Sequence, residues 1–277
     1  MLNPIEGEIF YVDKPLRWTS FEVVKKVRAR LRKRLDVKSL RVGHAGTLDP
    51  LATGVLTVCT GRATKRIEEL QAGVKEYVAH LRVGETTPSF DLETPVDATY
   101  PWEHITREQV ERTLKEQFTG TIEQVPPAFS ACKVDGKPAY KLARKGKDVA
   151  IRAKTLVIDE IELLECGLPE EPELVIRVVC SKGTYIRALA RDIGVSLSSG
   201  AHLTALRRTR VGEITVDQCE SVEHLISRLE TEEMVSPDRA EQERLERERE
   251  KNRAIARQRK AEQAQRRELR KSRQSQI

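Results

Sequence analysis

Apolar residues recur along this chain with two periods. Between Glu76 and Val83 they alternate: Tyr77, Ala79, Leu81 and Val83 fall to one side, with His80 and Arg82 on the other, the period-two pattern of a half-buried strand. "GEIFYVDKP" near the start predicts a first strand that Pro15 ends. From Thr19 to Leu35 the period lengthens, and Phe21, Val24, Val27, Leu31 and Leu35 share a helical face. Lys25, Lys26, Arg28, Arg32 and Lys33 lie opposite as a solvated or phosphate-facing surface, and Thr19 with Glu22 is spaced as a capping box. "ATKRIEEL" predicts a short helix. A longer one follows Thr106, with Gln109 completing a second capping box, Val110, Leu114 and Phe118 as its stripe, and Gly120 as its stop. The intervening "TTPSFDLETPVDATYP" is polar, holds three prolines and reads as a loop. Strands are expected at Thr155–Glu165 and Glu173–Cys180, then a helix capped by Thr184 with Ile186, Leu189, Ala190 and Ile193 inward. Strands and helices mix without regular alternation and without internal repeats. The expected class is α+β, a mainly antiparallel sheet flanked by helices.

The pattern stops after Thr231. Large apolar residues almost vanish, and pairs such as Glu243–Arg247 and Glu262–Arg266 support a helix by only ~0.2–0.5 kcal/mol each. Two units are therefore expected: a globular domain over residues 1–230, and a charged, solvated extension over 231–277, helical or disordered and not held on the core. Charge sharpens this division. The chain of 277 residues carries a formal +6. Residues 1–236 hold equal numbers of basic and acidic side chains, so the segment from Pro237 onward carries the whole excess. Five scattered cysteines without a Cys-x-x-Cys pair fit a reduced, cytoplasmic protein. There is no apolar run of membrane-spanning length and no basic-then-apolar leader, so no membrane association is expected.

Candidate chemistry concentrates in "RVGHAGTLDPLATGVL", where His44 and Asp49 stand among Gly43, Ala45, Gly46 and Gly54. Read alone, Asp49 before Pro50 fits a turn or a helix cap, and the small residues fit tight turns or the close approach of a backbone or planar ring. In "CSKGTYIRALARD", Arg187 puts a cation in the first turn of a helix, against the macrodipole at a cost of ~0.3–1 kcal/mol. Facing Asp49, it would orient that acid and keep it ionised. Tyr77 reads as a core tyrosine or a stacking platform. "FSACKVDGKPAYKLARKGK" interleaves Lys133, Lys137 and further cations with Phe129 and Tyr140, a mixture suited to RNA. The histidines lack ligand spacing, and no phosphate loop, dinucleotide fingerprint or nucleophile elbow is present.

Taken in order, "FYVDKP", "GHAGTLDPLATGVL", "KEYVAHLRVGETTPSFD", "QVPPAFSACKVDGKPAYKLARKG", "CSKGTYIRALARDIG" and "AHLTALRRTRVG" strongly resemble the blocks of the TruB family of tRNA pseudouridine synthases, from about Gly7 to Ser227. The resemblance implies the pseudouridine synthase catalytic fold and conversion of uridine 55 in the T-arm of transfer RNA to pseudouridine, without cofactor or metal. It implies that Asp49 is the catalytic aspartate, that Tyr77 stacks on the target base, and that Arg187 pairs with Asp49. His44 is implied to pack into the RNA loop, Tyr185 and Leu206 to line the uridine pocket, and Lys14 with Pro15 to form the N-terminal block. Lys133, Lys137 and Tyr140 are expected to contact RNA. Many bacterial members add a strand-rich RNA-binding domain (PUA) where this chain has its charged extension. The expected partner is the tRNA T-arm stem-loop, met by a monomer. Alternatives are a guide-dependent ribosomal RNA synthase, a tRNA-folding chaperone, and a glycosidic hydrolase using Asp91 as a second acid.

Overall fold

Ten strands join in one sheet, and their pairing order decides which distant residues become neighbours. The computed structural model describes residues 1–130, 132–134, 137–139 and 151–274. Its elements are β1 (Ile9–Lys14), α1 (Ser20–Arg34), β2 (Val42–Ala45), β3 (Ala52–Thr60), a 3-10 turn (Gly61–Arg66), α2 (Ile67–Leu70), β4 (Lys75–Val83), β5 (Glu85–Thr86), β6 (Ala98–Thr99), α3 (Arg107–Gln117) and β7 (Gly120–Gln124). Then come β8 (Lys133–Val134), β9 (Lys137–Pro138), β10 (Lys154–Cys166), β11 (Glu173–Cys180), α4 (Ile186–Ser196), β12 (Ala201–Val211), β13 (Ile214–Thr215), β14 (Glu220–Ser221), α5 (Val222–Thr231) and α6 (Arg239–Gln274).

The large sheet runs β14-β1-β3-β12-β4-β11-β10-β7, with β2 added to β3 and β13 to β12. Its pairs are antiparallel except β1 with β14 and β3 with β12. The expected class thus stands, with two parallel joints. One apolar cluster packs α3 and α4 against β4, β10, β11 and β12; another packs α1 and α5 against β1 and β3. The alternation on β4 is as expected: Tyr77, Ala79, Leu81 and Val83 are buried and His80 is exposed. Among the described residues no helix is long and apolar enough to cross a membrane.

Three local readings change. On α1 the capping box forms, but Val23 rather than Phe21 joins Val24, Val27 and Leu31 inside. Buried Ser20 sets the rotation: its Oγ donates to the Leu48 carbonyl at 3.0 Å and accepts from the Leu48 N–H at 2.9 Å. Phe21 is left half exposed, with Lys25 and Arg28 over its ring at 5.1 and 5.8 Å. On α4 the cap is Tyr185; Thr184 instead donates to the Ser181 carbonyl. The C-terminal extension is helical, and its first turns do hold to the core. Leu245 is buried beside α1 and α5, Glu246 pairs with Lys38 at 2.7 Å, and Glu248 pairs with Arg41.

Candidate active site

The sheet's order brings together three stretches that lie far apart in sequence. Asp49 sits in the turn between β2 and β3, and its carbonyl accepts the Ala52 N–H at 3.1 Å. The parallel joint sets Ala52 opposite Leu206 and Gly54 opposite Arg208, while β4 places Ala79 and Tyr77 on the other side of those same two residues. Ser20 pins Leu48 from one side. From the other, the Pro50 carbonyl accepts the Arg17 N–H at 2.7 Å.

Asp49 Oδ2 stands 2.8 Å from Arg187 Nε. The same nitrogen lies 3.6 Å from Asp91 Oδ2, Nη1 donates to the Ser89 carbonyl at 3.1 Å, and Nη2 donates to the Phe129 carbonyl at 3.0 Å. Arg187 is 5% exposed, so two carboxylates and two carbonyls replace the water it has lost. They also offset the unfavourable end of the α4 dipole. The start of α4 is anchored to β7 as well. The Gln124 side chain accepts the Tyr185 N–H at 2.9 Å and donates to its carbonyl at 3.2 Å.

Two-fifths of the Asp49 side chain remains exposed to a cleft, yet protein surrounds its carboxyl closely. That desolvation raises its pKa above 3.8; Arg187 pulls it back, and Asp91 pushes it further up. Asp49 is thus a carboxylate whose charge depends on its guanidinium partner.

The cleft has a volume of about 540 Å³, and its lining includes Asp49, Tyr77, Tyr185, Arg187 and Leu206, five of the residues expected at a site. Burial raises the pKa of both phenols; Arg208 opposes this at Tyr77, and Ser130 at Tyr185. Four cations, Lys75, Lys154, Lys182 and Arg208, share the same lining. The Lys75 ammonium donates to the carbonyls of Gln71 and Gly73, and burial takes its pKa down to about 8, with Arg208 and Lys182 acting in the same direction. An anion bound there would reverse that shift.

Other expected residues are placed differently. Lys14 is fully buried and does not reach the cleft. Its ammonium donates to the carbonyls of Pro15 at 2.9 Å, Trp18 at 2.6 Å and Pro50 at 3.5 Å, and burial lowers its pKa to about 8. It therefore clamps the Asp49 turn from beneath rather than meeting RNA. His44 is half-buried on β2 and outside the cleft lining, with Nδ1 buried and unpartnered; burial and Arg208 lower its pKa and favour the neutral ring. Tyr140 lies outside the described residues, as do the side chains of Lys133 and Lys137 on β8 and β9.

The small residues around Asp49 serve the protein itself more than an incoming ring. A Cβ on Gly54 (φ +105°) would lie 2.1 Å from the Arg208 carbonyl oxygen, and one on Gly46 would lie 3.4 Å from its guanidinium. Arg208, 2% exposed, fills the space: Nε donates to the Val55 carbonyl at 2.8 Å and Nη2 to the Gly46 carbonyl at 3.1 Å. Sequence reasoning missed this residue, although the strand period counted from Leu206 reaches it directly. Among the described residues no group of three or more His, Cys, Asp or Glu could hold a metal ion.

Residues 32–186 match the model of the TruB family pseudouridylate synthase N-terminal domain, and residues 187–243 match that of the tRNA pseudouridylate synthase B C-terminal domain. A tRNA pseudouridine synthase B of Phocaeicola vulgatus is 65% identical over 233 residues, which cover 84% of this chain and 97% of that protein. The enzyme of the same name from Mycobacterium bovis is 45% identical over 221 residues, covering 79% of this chain and 72% of the relative. Among solved structures, a chain in a Cbf5-Nop10-Gar1 complex superposes with a TM-score of 0.59 at 31% identity. One in an H/ACA RNP bound to a substrate RNA containing 2'-deoxyuridine gives 0.56 at 29%. Each match covers 81% of this chain, which spans about half of each solved chain, 55% and 53%.

Proposed function

Because the chain belongs to the TruB family of pseudouridylate synthases, we propose that it takes uridine 55 out of the T-arm loop of transfer RNA and returns it as pseudouridine, with Asp49 as the reacting carboxylate. The observation that carries this reading is the Asp49–Arg187 pair at 2.8 Å, open to a cleft that Tyr77 also lines.

The target base is stacked within a folded loop and must be everted, at a cost of a few kcal/mol. The lysines of the cleft, Lys75, Lys154 and Lys182, offer that energy back through the flanking phosphates. Leu206 and the rings of Tyr77 and Tyr185 give the uracil apolar walls. Asp49 then acts on the ribose or on the ring, as nucleophile or base, and the C1′–N1 bond breaks. The uracil turns within the cleft and C5 bonds to C1′; C5 loses a proton and N1 gains one, so the product is an isomer. Throughout, Arg187 favours the charged form of Asp49. Tyr77, its pKa raised by burial, serves as a neutral ring and phenol, not as a phenolate at neutral pH. A second carboxylate bound to the same guanidinium makes Asp91 a partner of Arg187 rather than a hydrolytic acid.

Residues 1–230 are the catalytic unit in this reading, residues 231–277 an appendage, and the enzyme works as a cytoplasmic monomer. The test is incubation with an unmodified T-arm stem-loop and no guide RNA, followed by mapping of pseudouridine. Conversion at the position of uridine 55, abolished in Asp49→Asn with RNA binding retained, is the expected result. Release of free uracil, or conversion only with a guide RNA, would overturn it.

A further inference from the structure

The C-terminal helix α6 divides electrically a third of the way along its 36 residues. From Arg239 to Glu250 it holds four arginines and five glutamates; from Lys251 to Gln274 it holds ten lysines and arginines against two glutamates. The proximal third turns acids towards the body: Glu246 meets Lys38 and Glu248 meets Arg41, beside the buried Leu245. The distal segment has no such attachment over its described part, where every residue from 251 to 262 is exposed. At 1.5 Å per residue, its 24 residues extend about 36 Å.

Its sequence excludes the usual partners of a projecting helix. No apolar residues recur at a heptad's first and fourth positions, so it presents no coiled-coil seam. It has no apolar face with which to lie in a lipid interface. What does recur is charge. Positions 253, 257, 260, 267 and 271 are Arg253, Arg257, Lys260, Arg267 and Lys271, and a turn of 100° per residue gathers these positions within an arc of about 80°. The segment also lies beyond both matched family models, which end by residue 243. Residues 1–236 are electrically balanced, so this distal segment is the chain's concentrated source of positive field.

We propose that Lys251–Gln274 is an electrostatic arm that grips the phosphate backbone of the RNA substrate away from the cleft, rooted to the body by the first third of the same helix. This rests on the reading of the enzyme as a modifier of transfer RNA, and it deepens that reading by assigning a second contact surface.

The test uses the full chain with Arg253, Arg257, Lys260, Arg267 and Lys271 all changed to Gln, a residue of similar helix propensity. Affinity for unmodified transfer RNA is measured between 50 and 200 mM KCl, beside conversion at saturating RNA and sedimentation velocity. Five phosphate contacts at about 0.7–0.9 each should lower the slope of log affinity against log salt by about 4. The affinity lost across that range should shrink by about a hundredfold or more, with kcat within about twofold of the parent. Slopes that coincide within one unit would overturn the arm, and so would a parent that self-associates through it. If the slopes differ as expected but neither protein forms pseudouridine, the arm stands as an RNA contact and the catalytic reading falls.

Discussion

Replacing Arg187 by methionine keeps the length and apolar stem of the side chain and removes its charge. The guanidinium touches Asp49 at 2.8 Å and Asp91 at 3.6 Å and gives two further bonds to carbonyls, all at 5% exposure. Without it, two carboxylates face each other with no cation between them. Stranding buried charge in this way costs ~3–5 kcal/mol. At about 2–4 °C per kcal/mol for a chain of this size, the melting temperature should fall by roughly 6–20 °C. The pH dependence separates this cause from simple loss of packing. Asp49 is already raised above 3.8 in the parent, and losing Arg187 raises it further. A carboxyl whose folded pKa exceeds its unfolded one binds more protons when folded, so its contribution to stability falls as pH rises through that window. The deficit of R187M should therefore be larger at pH 8 than at pH 5, as the stranded Asp49 protonates. Urea unfolding of both proteins at the two pH values, with pseudouridine formation measured alongside, is the assay. A deficit below about 1 kcal/mol, or one equal at both pH values, would refute the reasoning.

Asp91→Asn removes a negative charge that pushes Asp49 upward, so the acid limb of the kcat/KM profile should move to lower pH, an outcome excluded if the limb stays in place. Lys75→Gln should raise KM for transfer RNA about tenfold, ~1.4 kcal/mol, and flatten its salt dependence; a loss confined to kcat would deny Lys75 a phosphate role. Gly54→Ala combines a φ of +105° with a Cβ 2.1 Å from the Arg208 carbonyl and should cost more than ~3 kcal/mol. Gly120→Ala, at φ +87° with nothing within 4 Å, should cost only ~1 kcal/mol, and similar unfolding midpoints for the two variants would contradict the crowding at the β3–β12 joint.

The legible parts of the fold were those exposed on one side. β4 alternates because one face is buried and the other wet, and α1 and α3 announce themselves through their capping boxes. β3 gave no such signal: it is buried along nearly its whole length and so shows no polar alternation, and glycines surround its start. β12 hid behind its run of arginines. The Asp49–Arg187 contact could not follow from spacing, because the sheet's pairing order and the placement of α4 create it; the family resemblance supplied it instead. Phe21 and Thr184 were misread for local reasons, a buried serine hydroxyl in one case and a cap without a side-chain bond in the other.

The joint between β3 and β12 couples Ala52–Gly54 to Leu206–Arg208, across some 150 positions of chain. A ribosome that has delivered everything through α4 has made Asp49, Tyr77 and Arg187 but not the strand that must slide between β3 and β4. Until β12 emerges, the nascent protein carries two unpaired central edges and no assembled catalytic floor. Folding must wait for one of the last strands synthesised, a high contact order that favours slow, late closure. Premature termination anywhere before Arg208 should therefore yield an aggregation-prone fragment rather than a weak enzyme.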